Sequence, residues 1–173
     1  VFKSYKISLS QQNAWNARGG SLYSEISLDA ESEFMNGWES GFNSAFRFRN
    51  TDKWILRGGP SMKVPDMLEY SLWFHTNSSK KLFFLLEGNS DQGLEGNYSL
   101  YRISSELSYR PWPNLVISLE PSYERTVDEL QYIGCFTNSL ADKKYLLGRI
   151  DNRNLNITFR ADFALTPELT IQY

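Results

Sequence analysis

The sequence predicts an all-β fold: an antiparallel up-and-down transmembrane β-barrel, or a segment of one, with long strands and alternating short turns and long loops. Three observations predict it, namely an alternation of apolar and polar residues with period two, strands long enough to cross a bilayer, and connections whose lengths alternate. No apolar run approaches the ~20 residues that a membrane helix needs.

The alternation is clearest between Leu22 and Phe34, where apolar residues occupy one face and polar residues the other. The same pattern recurs in segments 38–48, 68–75, 99–109, 115–124 and 154–163. Charged residues collect on the polar faces and are missing from the apolar ones. Residues 81–87 are apolar on both faces and fit the pattern poorly. A one-sided strand pattern repeated along the chain predicts a sheet with one apolar and one polar face.

The connections between predicted strands alternate in length. In order they span 13–20, 34–37, 50–66, 77–80, 90–97, 110–114, 126–152 and 164–168. Outer-membrane barrels have short periplasmic turns and long extracellular loops. The pattern therefore predicts that 50–66 and 126–152 lie outside the cell and that the short turns lie in the periplasm. Residues 131–150 are a candidate for an extra hairpin that preserves the alternation.

Strand length and aromatic placement point the same way. The predicted strands have about 9–13 residues, near the ~9–11 that a tilted transmembrane strand needs. Aromatic residues cluster at the short-turn ends, as in the girdle at a membrane–water boundary. These residues are Phe34, Trp38, Phe74, Tyr109, Trp112 and Phe163.

The net charge and the ends of the chain limit the classes of partner that we expect. The formal net charge of −2 argues against a nucleic-acid partner, and the lone Cys135 excludes an internal disulfide. No Met begins the chain, and both ends fall inside strand patterns. We interpret residues 1–173 as a single barrel segment truncated at both ends. Its expected partners are the lipid bilayer and the remainder of its own polypeptide, and the solute is unknown.

Three segments carry a resemblance to a known family: 56–60 (Leu-Arg-Gly-Gly-Pro), 109–119 and 148–173. They resemble the C-terminal barrel region of an uncharacterised family of bacterial outer-membrane proteins. In that family the barrel follows an N-terminal domain similar to family-9 carbohydrate-binding modules. The resemblance implies an outer-membrane location, and it implies no activity, because the family's function is not settled.

The polar faces hold the best candidates for a functional site. By simple register Glu25 is expected near Arg47, and Arg102 near Glu120 or Glu124. Two readings stay open, a wall network that only stabilises the sheet and a charged constriction that selects solutes. The lumen-facing network is predicted to comprise Glu25, Arg47, Arg49, Arg102, Glu106, Glu120, Glu124 and Arg160.

Other candidates are weaker. The loop Arg57-Gly58-Gly59-Pro60 is a candidate to fold into the lumen, the alternative being an ordinary surface loop. The single histidine, His75, lies near Ser71, yet a lone histidine at a strand end is usually a wall residue. Asp128, Glu129 and Asp142 are oxygen donors that suit Ca²⁺.

We therefore expect no enzyme, no cofactor and no metal. The favoured function is an outer-membrane barrel segment that forms a pore, a transport conduit or a membrane anchor. The alternative is a soluble all-β binding module, for carbohydrate among other ligands, that uses exposed Trp and Tyr side chains.

Overall fold

The computed structural model describes residues 1–48, 51–138, 142–166 and 169–173. These residues form eleven strands and no helix, so the all-β antiparallel prediction is confirmed. The strands are β1 (Phe2–Trp15), β2 (Ser21–Phe34), β3 (Glu39–Phe48), β4 (Thr51–Asp52), β5 (Met62–Lys63), β6 (Met67–His75), β7 (Leu82–Gly93), β8 (Tyr98–Trp112), β9 (Leu115–Thr137), β10 (Lys143–Thr166) and β11 (Leu169–Gln172).

The topology is up-and-down. Nine strands make one sheet in the order β1-β2-β3-β6-β7-β8-β9-β10-β11, and β4 and β5 form a small separate hairpin. Each long strand pairs with the next long strand along the chain, as antiparallel strands joined by short connections do. In the turn between β2 and β3, Gly37 has a φ of +76° and its N–H donates to the carbonyl of Phe34 at 2.9 Å. That left-handed conformation favours glycine.

Cross-strand register gives the sheet two distinct faces, because directly opposed residues project to the same side. One face, here called the apolar face, is crossed by the row Ile7, Ala30, Phe42, Leu72, Gly88, Ile103, Tyr123 and Leu155. The other, the charged face, is crossed one residue along by Ser8, Asp29, Asn43, Ser71, Asn89, Arg102, Glu124 and Asn154. The alternation read from the sequence is therefore preserved in β2, β3, β6, β8, β9 and β10, and the two faces continue across β1 and β7.

The charged face is the more enclosed of the two. On the apolar face Leu155 is 69% exposed and Leu72 is 60% exposed. On the charged face Ser108 and Ser118 lie opposite each other and are only 7% and 6% exposed. No second layer covers the apolar face within the described residues, and few apolar side chains there are buried.

The sheet is open. In the described residues β1 and β11 are its two edges and do not pair with each other, so the closed barrel of the sequence prediction is not found. Closure would require hydrogen-bonded pairing of the outermost strands. The described residues contain no helix that is long and apolar enough to cross a membrane.

The predicted alternation of loop lengths is wrong in two places. Strand β7 runs to Gly93, which shortens the connection predicted at 90–97. Residues 126–152 are mostly a paired ladder, in which β9 and β10 extend to 23 and 24 residues and leave only 138–142 between them. The extra hairpin expected at 131–150 is thus a continuation of these two strands. Register shifts between Leu146 and Leu147, and between Gly148 and Ile150, break the period-two pattern that marks a strand in sequence.

Candidate functional site

An ion-pair cluster around Arg47 lies on the charged face. The guanidinium Nη2 of Arg47 is 2.7 Å from Oε2 of Glu25, directly opposite on β2, and its Nη1 is 3.2 Å from Oε1 of Glu69 on β6. The guanidinium also lies 5.3 Å from the centre of the Tyr23 ring. Arg47 therefore links three strands, and its pairing with Glu25 confirms the register expected from sequence.

A second ion pair joins β8 to β9. Arg102 lies opposite Glu124, and its Nε donates to Oε2 of Glu124 at 2.7 Å. Of the two partners expected from sequence the structure selects Glu124. Glu120 instead accepts a hydrogen bond from Ser118 at 3.3 Å, and Glu106 accepts one from Ser108 at 2.5 Å. These serine–glutamate contacts lie within single strands.

Within the predicted network, the described residues form two ion-pair groups, one around Arg47 and one between Arg102 and Glu124. Arg160, on β10, lies opposite Ser118 of β9. It is exposed and has no ion pair among the residues that the structure describes. Arg49 lies outside the described residues. The charged face therefore carries fixed charges of both signs, in one group around Arg47 and another around Arg102.

An aromatic cluster occupies the short-turn end of the charged face. The Trp73 and His75 rings stack at 5.3 Å with an interplanar angle of 14°, and Phe83 lies 6.0 Å from His75. Nε2 of His75 is 3.6 Å from Oε2 of Glu39, and Nδ1 is 3.2 Å from the carbonyl oxygen of Thr76. Neither contact involves a serine hydroxyl, so no Ser–His pair is found among the residues that the structure describes.

Trp73 fits because Gly41 lies opposite it on β3. A Cβ at Gly41 would lie 2.3 Å from the indole ring, which is closer than any real contact. The sequence did not predict this cluster because residues were assigned to faces by hydrophobicity alone. The signal that was available is the segment 81–87, which is apolar on both sides and places Phe83 here.

At the opposite end, a cavity of about 600 Å³ lies between the charged face, the segment after β3 and the β9–β10 hairpin. Its walls include Glu69, Asp91 and Tyr98 from the sheet, Trp54 and Arg57 from the connection, and Tyr132 from the hairpin. The cavity combines acidic groups, a guanidinium and aromatic rings, a lining that suits small polar solutes.

The loop Arg57-Gly58-Gly59-Pro60 packs against the β9–β10 hairpin. The Arg57 guanidinium lies 5.5 Å from the centre of the Tyr132 ring, and Arg57 itself has a φ of +45°. A Cβ at Gly59 would lie 2.6 Å from the Tyr145 ring, and the neighbouring Leu56 is only 6% exposed. The loop is thus held at the cavity by side-chain packing.

The candidate calcium ligands do not converge. Asp128 pairs with Ile150, whereas Asp142 precedes the first pair of the hairpin, Lys143 with Thr137. Nine residues of strand at ~3.3 Å per residue separate the two carboxylates by about 30 Å. Glu129 lies 3.6 Å from Arg149 instead. These three residues therefore cannot share one ion.

A third ionic group lies on the apolar face, beyond its apolar rows. Arg125 donates from Nε and Nη2 to the two carboxylate oxygens of Asp151, at 3.1 and 2.8 Å, and Nε of Arg153 is 3.6 Å from Oδ1. The hydrogen bonds from Arg125 lower the pKa of Asp151 to about 2. Sequence reasoning missed this group because it straddles a segment expected to be a loop.

One family comparison covers the whole chain. The family model described as "Domain of unknown function (DUF5916)" matches residues 1–173. The chain belongs to this family. That description assigns DUF5916 no activity, no membrane and no accompanying carbohydrate-binding module. No curated protein and no solved structure matches the chain.

Proposed function

We propose that this chain forms part of the wall of an outer-membrane β-barrel, with the apolar face toward lipid and the charged face toward an aqueous lumen. The observation that carries the proposal is the inverted exposure of the sheet, in which isoleucine and leucine side chains are exposed while charged residues lie on the enclosed side. The barrel serves as a conduit for polar solutes.

Exposed apolar rows are costly in water. A sheet of a soluble protein buries its apolar face under a second layer, which stabilises the fold by ~25 cal/mol per Å² of apolar surface. Here Ile103, Leu155 and Ile157 are 53%, 69% and 67% exposed. Acyl chains satisfy such a face without a second protein layer.

The dimensions of the apolar face suit a bilayer. On β8 it is bounded by Trp112 toward the short turn and by Tyr101 toward the cavity, both exposed. The eleven steps from Tyr101 to Trp112, at ~3.3 Å each, give about 36 Å, and a strand tilted by ~45° then spans about 25 Å, the height of the apolar band in such barrels. Aromatic residues at both limits are typical of the two interfaces.

The charged face suits the inside of a conduit. Ion pairs such as Arg47–Glu25 and Arg102–Glu124 satisfy their charges within the wall, so water and polar solutes pass a surface of fixed, balanced charge. The loop at Arg57 narrows this passage at the cavity end. The loop folded into the lumen and the charged constriction of the sequence prediction are thus parts of one proposal.

The proposal requires that both edges of the sheet be paired. Strands β1 and β11 each leave one side unpaired among the described residues, and an unpaired edge is not tolerated in the hydrocarbon region. The two edges must therefore be paired in the membrane, by each other or by further strands.

The second candidate is a soluble all-β binding module. The cavity lined by Trp54, Tyr98 and Tyr132 favours it, because aromatic rings and carboxylates at one site bind polar organic ligands. This candidate leaves the apolar rows of the opposite face without a role, so we rank it second.

Fractionation of cells that produce the full-length protein separates the two. The barrel is expected to sediment with outer membranes and to resist extraction by alkaline carbonate. Phe159→Arg, near the middle of the apolar face, should reduce membrane retention, whereas its neighbour Thr158→Arg, on the charged face, should preserve it. Recovery of the unaltered protein in the soluble periplasmic fraction would refute the barrel and favour the binding module.

A further inference from the structure

The apolar face has a sharp charged boundary at its cavity end. Arg125 lies opposite Tyr101 on one side and Arg153 on the other, so these three residues form one row. Asp151 follows in the next row, opposite Val127. Toward the short turns, β9 and β10 continue on this face with apolar or uncharged residues, among them Tyr123 and Leu155.

The charges at this boundary do not cancel. Two guanidinium groups share the single carboxylate of Asp151, which leaves a net charge of +1. Arg125 donates hydrogen bonds to Asp151 from Nε and Nη2, and the atom of Arg153 that lies near Asp151 is Nε. The remaining guanidinium N–H groups are available, and the side chains of Arg125 and Arg153 are 39% and 63% exposed.

We propose that Arg125 and Arg153 bind the phosphate of a membrane lipid headgroup. The inference rests on the proposed function, since it assigns a role to the row where the lipid-facing surface ends. Arginine is suited to phosphate because its planar N–H groups donate in pairs to phosphate oxygens.

Position selects a lipid rather than a soluble phosphate. The site is continuous with the apolar rows below it, so acyl chains of the same molecule would lie against Tyr123 and Leu155. The neighbouring Tyr101 is 48% exposed, and an amphipathic ring at this level is typical of the headgroup region. Asp151 holds both arginines at the row and competes with the phosphate for them.

The test uses the full-length protein solubilised in detergent with mixed phosphatidic acid and phosphatidylcholine, followed by native mass spectrometry of retained lipid. The unaltered protein should retain phosphatidic acid preferentially. The double variant Arg125→Gln/Arg153→Gln should lower that retention about thirtyfold, since each basic group near a membrane surface contributes roughly 1 kcal/mol of attraction and about 1.4 kcal/mol is a factor of ten. The matched control Lys143→Gln/Lys144→Gln removes two positive charges from β10 at the far end of the hairpin and should have no effect.

A further variant guards against misfolding. Asp151→Asn removes the competing carboxylate and should increase retention of phosphatidic acid. Equal retention by the arginine variant and the unaltered protein would overturn this inference while leaving the barrel intact. Displacement of the lipid by equimolar glycerol phosphate would overturn the lipid source. A protein that stays soluble without detergent and retains no lipid would refute the proposed function, and this inference with it.

Discussion

Arg47 lies directly opposite Glu25 on the neighbouring strand, and its Nη2 is 2.7 Å from Oε2 of that carboxylate. The Glu25 side chain is only 17% exposed, so this pair lies on the enclosed side of the sheet. Because Arg47 also reaches Glu69, removing the guanidinium leaves two partly enclosed carboxylates without their counter-charge. The consequence is a measurable dependence of stability on this residue.

Arg47→Gln should lower the free energy of unfolding by about 1–2 kcal/mol, because hydrogen bonds to charged groups are lost and partial exposure weakens the effect. Urea titration of protein refolded in lipid vesicles measures this change. Arg18→Gln, in the exposed connection between β1 and β2, is the control and should change little. Equal effects of the two variants would contradict the assigned role of Arg47.

The two faces should respond oppositely to a new charge. Ile157→Arg places a guanidinium on the apolar face and should cost roughly 2–4 kcal/mol if the site is near the bilayer midplane. Asn156→Arg, one residue earlier on the charged face, should be close to neutral. The measurement is the free energy of unfolding in lipid vesicles, and similar costs at both positions would argue against a lipid-facing surface.

Two strand glycines differ in the space around them, Gly41 on the charged face and Gly88 on the apolar face. Gly41→Ala places a methyl group 2.3 Å from the Trp73 indole and should destabilise the fold by about 1–3 kcal/mol through overpacking. Gly88→Ala meets nothing within 4 Å and should shift stability by less than ~0.5 kcal/mol. A neutral Gly41→Ala would show that Trp73 does not rest on β3.

The topology can be tested with single cysteines in a Cys135→Ser background, because Cys135 is itself exposed. Asn138→Cys, at the end of the projecting hairpin, should react with a membrane-impermeant thiol reagent on intact cells. Asn36→Cys, in the turn between β2 and β3, should react only after the outer membrane is permeabilised. Labelling of Asn36→Cys alone on intact cells would reverse the proposed orientation.

Local alternation predicted much of this architecture. Side chains alternate strictly along a strand, so the faces of β2, β3, β8 and β9 and the opposition of Glu25 and Arg47 followed from sequence. The continuation of β9 and β10 did not, because bulges near Gly148 shift the phase of the pattern. Closure of the sheet was expected from the pattern and is not found in the described residues.

The alternation of apolar and polar residues did not predict the packing between distant segments. The contacts of Arg57 with Tyr132 and of Gly59 with Tyr145 join segments more than seventy residues apart, and alternation within a strand carries no information about them. The alternation in segment 68–75 assigns Trp73 to the polar face, but it does not show that the Trp73 ring packs over Gly41 and beside His75. A small residue opposite a large one is a cross-strand relationship that appears only once the register is known.

The central claim is that the apolar face meets lipid and the charged face meets water. Spin labels on single cysteines along β8, from Ser99 to Tyr109 in a Cys135→Ser background, test it most directly in lipid vesicles. Collision rates with oxygen, which partitions into lipid, should peak at Ile103 and Leu107. Collision rates with a water-soluble nickel complex should peak at Ser104 and Glu106, giving two profiles of period two in opposite phase. Profiles in the same phase, or equal access of the nickel complex to both faces, would contradict the account.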